Sequence, residues 1–159
     1  MLKHACLALA IALAAAHAAE AAPALPFNSN SLADIQKAND GKPFILLLWS
    51  LDCASCIKEM DGLAKTVAKH PDLKLVMVAT DDIVNSAQVE AVLRKHHLEG
   101  IESWTFAEPN AQKLRYGIDP SWFGELPRSY LYDARHQRKA QSGVLKPEQI
   151  ESWLAAQEP

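Results

Sequence analysis

The chain predicts an α/β fold in which a central mixed β-sheet is flanked by helices. Three observations predict it. Phe44-Ile45-Leu46-Leu47-Leu48-Trp49 is an unbroken apolar run of six, too short for a buried helix and suited to a strand covered on both faces. Directly after it, Ile57, Met60, Leu63, Ala64 and Val67 recur at spacings of three and four, one face of an amphipathic helix. A second apolar run at residues 73–79 then completes a strand-helix-strand unit, which implies a parallel pair.

The elements follow in order. Met1-Leu2-Lys3-His4, an Ala/Leu/Ile stretch over residues 5–16 and Ala16-His17-Ala18 supply the charged, apolar and small-x-small parts of a secretory signal peptide. About a dozen apolar residues fall short of the roughly twenty a spanning helix needs, so cleavage is expected and an uncleaved anchor is the weaker alternative. Ala19-Glu20-Ala21 offers a second cut, so residues 1–21 are assigned to the signal peptide. Residues 22–31, rich in Ala, Pro, Asn and Ser and lacking apolar periodicity, are expected to form a flexible lead-in. The globular domain is placed at residues 32–159.

Within it, Ser31 precedes Leu32, Ile35 and Ala38 as the cap of a short helix that stops at Asn39-Asp40-Gly41. Pro71 and Asp72 end the long helix that follows the first strand. Residues 84–97 are helical by spacing, with Ser86 as cap, and a smaller helix covers 110–116. Ser129-Tyr130-Leu131-Tyr132, a polar turn over 133–138 and the segment 139–143 form a hairpin, and Pro147 opens a last helix with Ile150, Trp153 and Leu154 turned inward.

Composition narrows the function. The chain has 159 residues, 49% hydrophobic and 22% charged, the size of one domain. Its 16 Lys+Arg against 19 Asp+Glu leave a net charge of -3, no basis for nucleic-acid binding. Gly-x-Ser-x-Gly, phosphate-binding Gly-rich and His-Glu-x-x-His motifs are absent from the sequence. What remains is Cys53-Ala54-Ser55-Cys56, because Cys6 lies inside the signal segment and far from any lipid-modification position at its end. A Cys-x-x-Cys between a buried strand and a helix has a specific logic. The first sulfur sits at the helix N-terminus, where unpaired N–H groups and the dipole favour a thiolate, so Cys53 is the nucleophile. Cys56, one turn on, can attack a mixed disulfide on Cys53 and is the resolving thiol.

Trp49-Ser50-Leu51-Asp52-Cys53-Ala54-Ser55-Cys56-Ile57-Lys58-Glu59, Tyr116-Gly117-Ile118 and Leu126-Pro127-Arg128-Ser129-Tyr130-Leu131-Tyr132-Asp133 occur in that order. With these segments the sequence resembles the thioredoxin-like superfamily, and within it the extracytoplasmic TlpA/ResA/CcmG (DsbE) group of thiol-disulfide oxidoreductases. The likeness covers about residues 32–156 and includes a helical insert between the second strand and the proline. It implies a cis-proline at Pro127 facing the dithiol and a Leu126 backbone that pairs with an extended substrate segment, with Trp49 and Asp52 also on the substrate side. It implies a periplasmic disulfide reductase, monomeric, with no cofactor beyond the redox-active Cys53–Cys56 pair. Its electrons would come from a membrane donor of the DsbD/CcdA type. Its clients would be cysteine-containing secreted proteins, an apocytochrome c among them.

Several residues carry two readings. Glu59 shares a helix face with Cys56 and either exchanges protons with it, as the acid of ResA-like members does, or is a solvated glutamate of the helix's first turn. Asp52 stands where the group usually has a tryptophan. An exposed carboxylate there would oppose the Cys53 thiolate by roughly 1 kcal/mol, about the size of the dipole effect favouring it, which points to a disulfide that is held rather than donated. Asp52 turned to water is the alternative. Leu47 occupies the position of thioredoxin's buried acid. Pro127 could also be an ordinary trans proline opening a strand. Trp122 and Phe123 form either an apolar docking platform or part of the core, and Arg128 either steers acidic substrates or is solvated. Two further functions compete: a copper- or zinc-binding module using Cys53, Cys56 and a histidine, although His96 and His97 lack ligand spacing with them, and an interaction domain without redox activity.

Overall fold

The β2 strand, Phe44–Trp49, is buried at all six positions, and because successive side chains point to opposite faces it feeds two cores at once. The computed structural model describes residues 23–157; the expected signal peptide lies outside them. Among the described residues the sheet has six strands in the order β1-β4-β3-β2-β5-β6. These are β1 (Leu25–Phe27), β2, β3 (Leu75–Asp82), β4 (Glu102–Phe106), β5 (Arg128–Tyr132) and β6 (Arg138–Ser142). The pairs β1–β4, β4–β3 and β3–β2 are parallel, whereas β2–β5 and β5–β6 are antiparallel. The sheet is therefore mixed, as predicted.

Helices cover both faces. Ile45, Leu47 and Trp49 pack with Met60 and Leu63 of α2 (Ala54–Lys69), Val89 and Leu93 of α3 (Ser86–Lys95) and Ile150 of α5 (Pro147–Ala155). Phe44, Leu46 and Leu48 pack with Ile35 of α1 (Ser31–Ala38) and Leu114 and Ile118 of α4 (Ala111–Ile118). The two cores follow from the period of two in β2 and the three-and-four spacing of the helices. Pro147 occupies the first turn of α5, where its missing N–H costs nothing.

Four local expectations change. The lead-in contains β1: Phe27 is 1% exposed, stacks on Phe106 at 5.5 Å and sets its edge toward Trp104 at 6.2 Å. Its flanks are tied to distant carboxylates, Ala24 N–H donating to Glu90 (3.0 Å) and Ser29 N–H to Glu108 (2.6 Å). Three strand residues are too few to show periodicity, so this pairing is a tertiary event. The insert between β3 and Pro127 is not wholly helical, because β4 lies between α3 and α4 and joins β1 to β3. Its five residues start with Glu102 and Ser103, which hide the strand pattern. Ser31 is the first helical residue rather than the cap; Asn30 precedes it, and the Ser31 hydroxyl accepts the Asn28 N–H at 2.9 Å. The helix expected from residue 84 begins as a 3-10 turn, Ile83–Asn85, because the Asp82 carboxylate accepts the Val84 N–H at 3.0 Å and tightens the entry; Ser86, expected as the cap, is instead the first residue of α3 and follows Asn85.

Phe27→Ala is expected to lower unfolding free energy by about 3 kcal/mol, the cost of a truncated buried aromatic. Urea denaturation followed by tryptophan fluorescence checks it; a change below about 0.5 kcal/mol is what a loose lead-in would give.

Candidate active site

The dithiol lies where β2 ends and α2 begins. After Trp49 the chain turns, with Cys53 N–H donating to Ser50 C=O at 3.2 Å, and Cys53 becomes the N-cap of the 16-residue α2. Its sulfur accepts the Cys56 N–H at 3.2 Å, one of the donors that a helix N-terminus leaves unpaired. The first turn of α2 contains no acidic side chain to offset the dipole. Cys53 and Cys56 are joined in a disulfide, S–S 2.00 Å and Cα–Cα 5.2 Å. The sulfurs are unequal in access: Cys56 is 1% exposed and belongs to the α2-side core, while Cys53 is half-buried and reaches solvent. The Ser55 hydroxyl lies 3.5 Å from the Cys53 sulfur.

Glu59 is not a solvated first-turn residue. It sits one turn beyond Cys56, 7% exposed, and its Oε2 accepts the Leu145 N–H at 2.9 Å. Its other oxygen is buried with no hydrogen-bond partner among the described residues. Burial pushes its pKa up to about 7, against the opposing pull of the Leu145 N–H. The protein thus holds a carboxyl that changes protonation near neutral pH on the same helix face as the buried sulfur.

Asp52 is exposed beside Cys53. Behind it lies a carboxylate that the sequence pattern does not mark: Asp81, near the end of β3, accepts the Leu51 N–H at 3.0 Å and so pins the turn before the cysteines. Burial raises the Asp81 pKa, the Leu51 N–H opposes that, and the Asp52 charge adds to it. The contact spans 30 residues, which is why no local motif announces it.

The second wall of the site is the approach to β5. Leu48 of β2 is in register with Arg128 of β5, so Pro127 lies alongside the end of β2 from which the cysteine turn departs. The Leu126–Pro127 peptide is cis. Pro127 is buried and its carbonyl accepts the Gly143 N–H at 2.9 Å, whereas Leu126 makes no backbone hydrogen bond to the described chain. Leu126 touches both cores, including the cluster that holds Cys53 and Leu51.

Trp49, by contrast, is fully buried, because odd-numbered residues of β2 point into the α2-side core. It supports the site from below and has no surface to offer a substrate. Arg128 is neither a steering residue nor a solvated one. Its side chain is 11% exposed, pairs with Asp119 at 3.1 Å and Glu125 at 3.2 Å, and lies over the Tyr130 ring at 5.1 Å. Asp119 also accepts from Tyr130 at 2.9 Å and from the Ser121 hydroxyl at 2.7 Å, and pairs with Arg138 at 3.5 Å. Burial alone would raise the Asp119 carboxyl, but the hydrogen bonds from Ser121, Tyr130 and Arg128 outweigh it and hold the group well below the usual carboxylate range. Among the described residues no group of three or more His, Cys, Asp or Glu side chains could hold a metal ion. His96 instead contacts Asp61 at 2.7 Å, linking α3 to α2.

No protein-family model and no curated protein sequence matches the chain. Solved structures do. A secreted Mycobacterium tuberculosis disulfide oxidoreductase homologous to Escherichia coli DsbE superposes with TM-score 0.61 at 18% identity, over 76% of this chain and 85% of that one. StoA from Bacillus subtilis gives 0.54 at 24% identity over 73% and 84%. A thiol:disulfide interchange protein of the thioredoxin family from Chlorobium tepidum gives 0.59 at 16% identity over 87% and 98%. The chain therefore has the thioredoxin-like fold.

Glu59 makes stability depend on pH in a definite direction. A carboxyl whose pKa is raised in the folded state contributes stability that is full below its unfolded value of 4.5 and is lost as pH rises through about 7. Glu59→Gln is expected to flatten that loss: between pH 5 and 8 the stability of the parent minus that of the variant falls by about 2 kcal/mol. Urea unfolding at both pH values checks this.

Proposed function

We propose that the protein is a periplasmic thiol-disulfide oxidoreductase acting as a disulfide reductase. The observation that carries the proposal is the pairing of a half-buried Cys53 at the cap of α2 with a buried Cys56 one turn inside it. The structural likeness to a disulfide oxidoreductase and to a thiol:disulfide interchange protein supports it.

In the reduced protein the Cys53 thiolate, favoured by the Cys56 N–H and the α2 dipole, attacks one sulfur of a substrate disulfide. A mixed disulfide forms, and the substrate's other sulfur leaves as a thiolate and takes a proton. Cys56 then gives its proton to the Glu59 carboxylate and attacks the Cys53 sulfur. The second substrate thiol leaves, and the Cys53–Cys56 disulfide closes. One substrate disulfide is reduced to two thiols while one protein dithiol is oxidised. A base of pKa about 7 is suited to this at neutral pH, because an appreciable fraction is ionised and still basic.

Leu126 offers the client its unpaired backbone edge, and Pro127 leaves no N–H to compete. Asp52, exposed beside Cys53, disfavours the thiolate and with it a strongly oxidising disulfide, which supports the reductive direction. Clients are cysteine-containing secreted proteins, an apocytochrome c being one candidate. Re-reduction falls to a membrane donor of the DsbD/CcdA type. The dithiol needs no further cofactor, and the working unit is a monomer exported by residues 1–21.

Equilibration with glutathione, trapping thiols and reading the oxidised fraction by mass, tests the direction: the disulfide is expected to persist in excess reduced glutathione. A disulfide lost at once identifies an oxidant or isomerase. Cys56→Ser is expected to accumulate mixed disulfide with insulin as substrate, and Cys53→Ser to reduce insulin no faster than buffer. Glu59→Gln is expected to slow the resolving step by about 10²-fold at pH 7 while Cys53 alkylation stays unchanged. Equal effects on both cysteines would remove the proton-transfer role.

A further inference from the structure

Between α4 and β5 the chain runs from Asp119 to Pro127 as a cross-braced loop. Arg128 closes it on Asp119. The Trp122 indole N–H donates to the Glu125 carbonyl at 2.8 Å. Glu125 Oε1 takes both Arg128 (3.2 Å) and the Ser142 hydroxyl (2.8 Å), which fastens the loop to β6. Gly124, at φ +98°, supplies the reversal that a side chain would strain.

One residue escapes this bracing. Trp122 is 4% exposed, yet the adjacent Phe123 is 92% exposed, an aromatic ring presented to water on a braced loop. Phe123 lines a cavity of about 290 Å³ with Gln112, Arg115, Tyr116, Pro120 and Trp122. That volume lies at the lower limit of small-molecule sites, ~300 Å³, and suits one large side chain better than a whole ligand. Tyr116 is 67% exposed on the same rim. Arg115 is the one charged group in the lining. It lies against Gly124, where an added Cβ would meet its guanidinium at 3.6 Å. Among the described residues it forms no ion pair, whereas Arg128 and Arg138 are both committed to Asp119.

We propose that this loop is a prebuilt docking site for the redox partner protein, taking an aromatic or large aliphatic side chain against Phe123 and Tyr116 and a neighbouring carboxylate on Arg115. The site rests on the oxidoreductase function above and extends it to specificity. Three features select this occupant. The uncompensated cation calls for an anion beside the apolar anchor. The bracing removes the ordering cost that a mobile loop would incur on binding. Phe123 is three residues from Leu126 in the same loop, so its Cα lies at most about 11 Å from the edge that takes the client backbone.

Reduced protein is assayed with peptides whose single cysteine carries a thiopyridine mixed disulfide, the release of pyridine-2-thione being followed. Cys53 attacks the peptide sulfur and expels thiopyridine, and Cys56 then releases the peptide thiol. Peptides carry Phe-Glu, Phe-Lys or Ala-Gln at two to six residues on either side of the cysteine. At the matching spacing Phe-Glu is expected to react about tenfold faster than Ala-Gln, with Phe-Lys between them. Phe123→Ala and Arg115→Gln each remove most of that advantage, and Arg115→Glu reverses the order of Phe-Glu and Phe-Lys. The rate with dithiodipyridine, which has no peptide to dock, stays unchanged in all three variants.

Equal rates for all peptides at every spacing, with normal dithiodipyridine reduction, overturn the docking site and leave the oxidoreductase function standing. Failure to reduce dithiodipyridine at all overturns both. Sedimentation of the parent and Phe123→Ala proteins covers the remaining occupant: self-association abolished by the substitution would assign the patch to a second copy and overturn the proposal.

Discussion

The position of β2 between a parallel neighbour and an antiparallel one is the constraint on which the rest of the structure depends. Because β3 lies on one side and β5 on the other, the end of β2 is met by Asp81 from β3 and by Leu126-Pro127 from the approach to β5. Asp81 holds the turn that carries Cys53 through Leu51, and Leu126 packs against the same core as Cys53. Burial on two faces keeps β2 from slipping, since a shift of one residue would exchange Ile45, Leu47 and Trp49 with Phe44, Leu46 and Leu48 between two differently shaped cores.

Two buried carboxyl groups show how this frame controls charge. Asp119 receives several hydrogen bonds and two guanidinium groups, so its ionised form is held firmly and it serves as a fixed anchor for the loop before β5. Among the described residues Glu59 receives a single backbone N–H and keeps one oxygen without a partner. It has been taken out of water without an equivalent return, and its proton is correspondingly easy to gain. The same side-chain chemistry thus acts as a structural clamp in one core and as a group able to titrate near neutral pH in the other.

Unequal access of the two sulfurs adds an order of events. Cys53 is half-buried and reaches solvent, and Cys56 is enclosed by the α2-side core and bonded to Cys53. In the proposed exchange, a resolving thiol protected in this way is shielded from competing substrates, and its proton leaves through a protein group. In that exchange the cost of burying Glu59 falls where a proton acceptor is needed.

The dithiol at a strand-helix junction, the parallel strand pair, the terminal hairpin and the last helix were all legible in the chain, because each is written in residues within one turn or a few strand positions of one another. The lead-in and β4 were not, since three and five residues carry too little periodicity and their pairing lies with strands distant in sequence. The site divides in the same way. Cys53 and Cys56 came from spacing, and the candidacy of Glu59 from spacing together with the family resemblance. The burial of Glu59 depends on Leu145, 86 residues away, and the bracing of the cysteine turn on Asp81, 30 residues away. Trp49 and Arg128 look available as a sequence and are committed in the fold, one to the core and the other to Asp119. The sequence by itself determined which atoms can do sulfur chemistry, because that is a property of residue type and helix position. Only the tertiary structure decided which of them meet solvent, which carboxyl holds its proton and which cations are paired with Asp119, because desolvation and Coulomb energies depend on what the folded chain brings within a few ångströms.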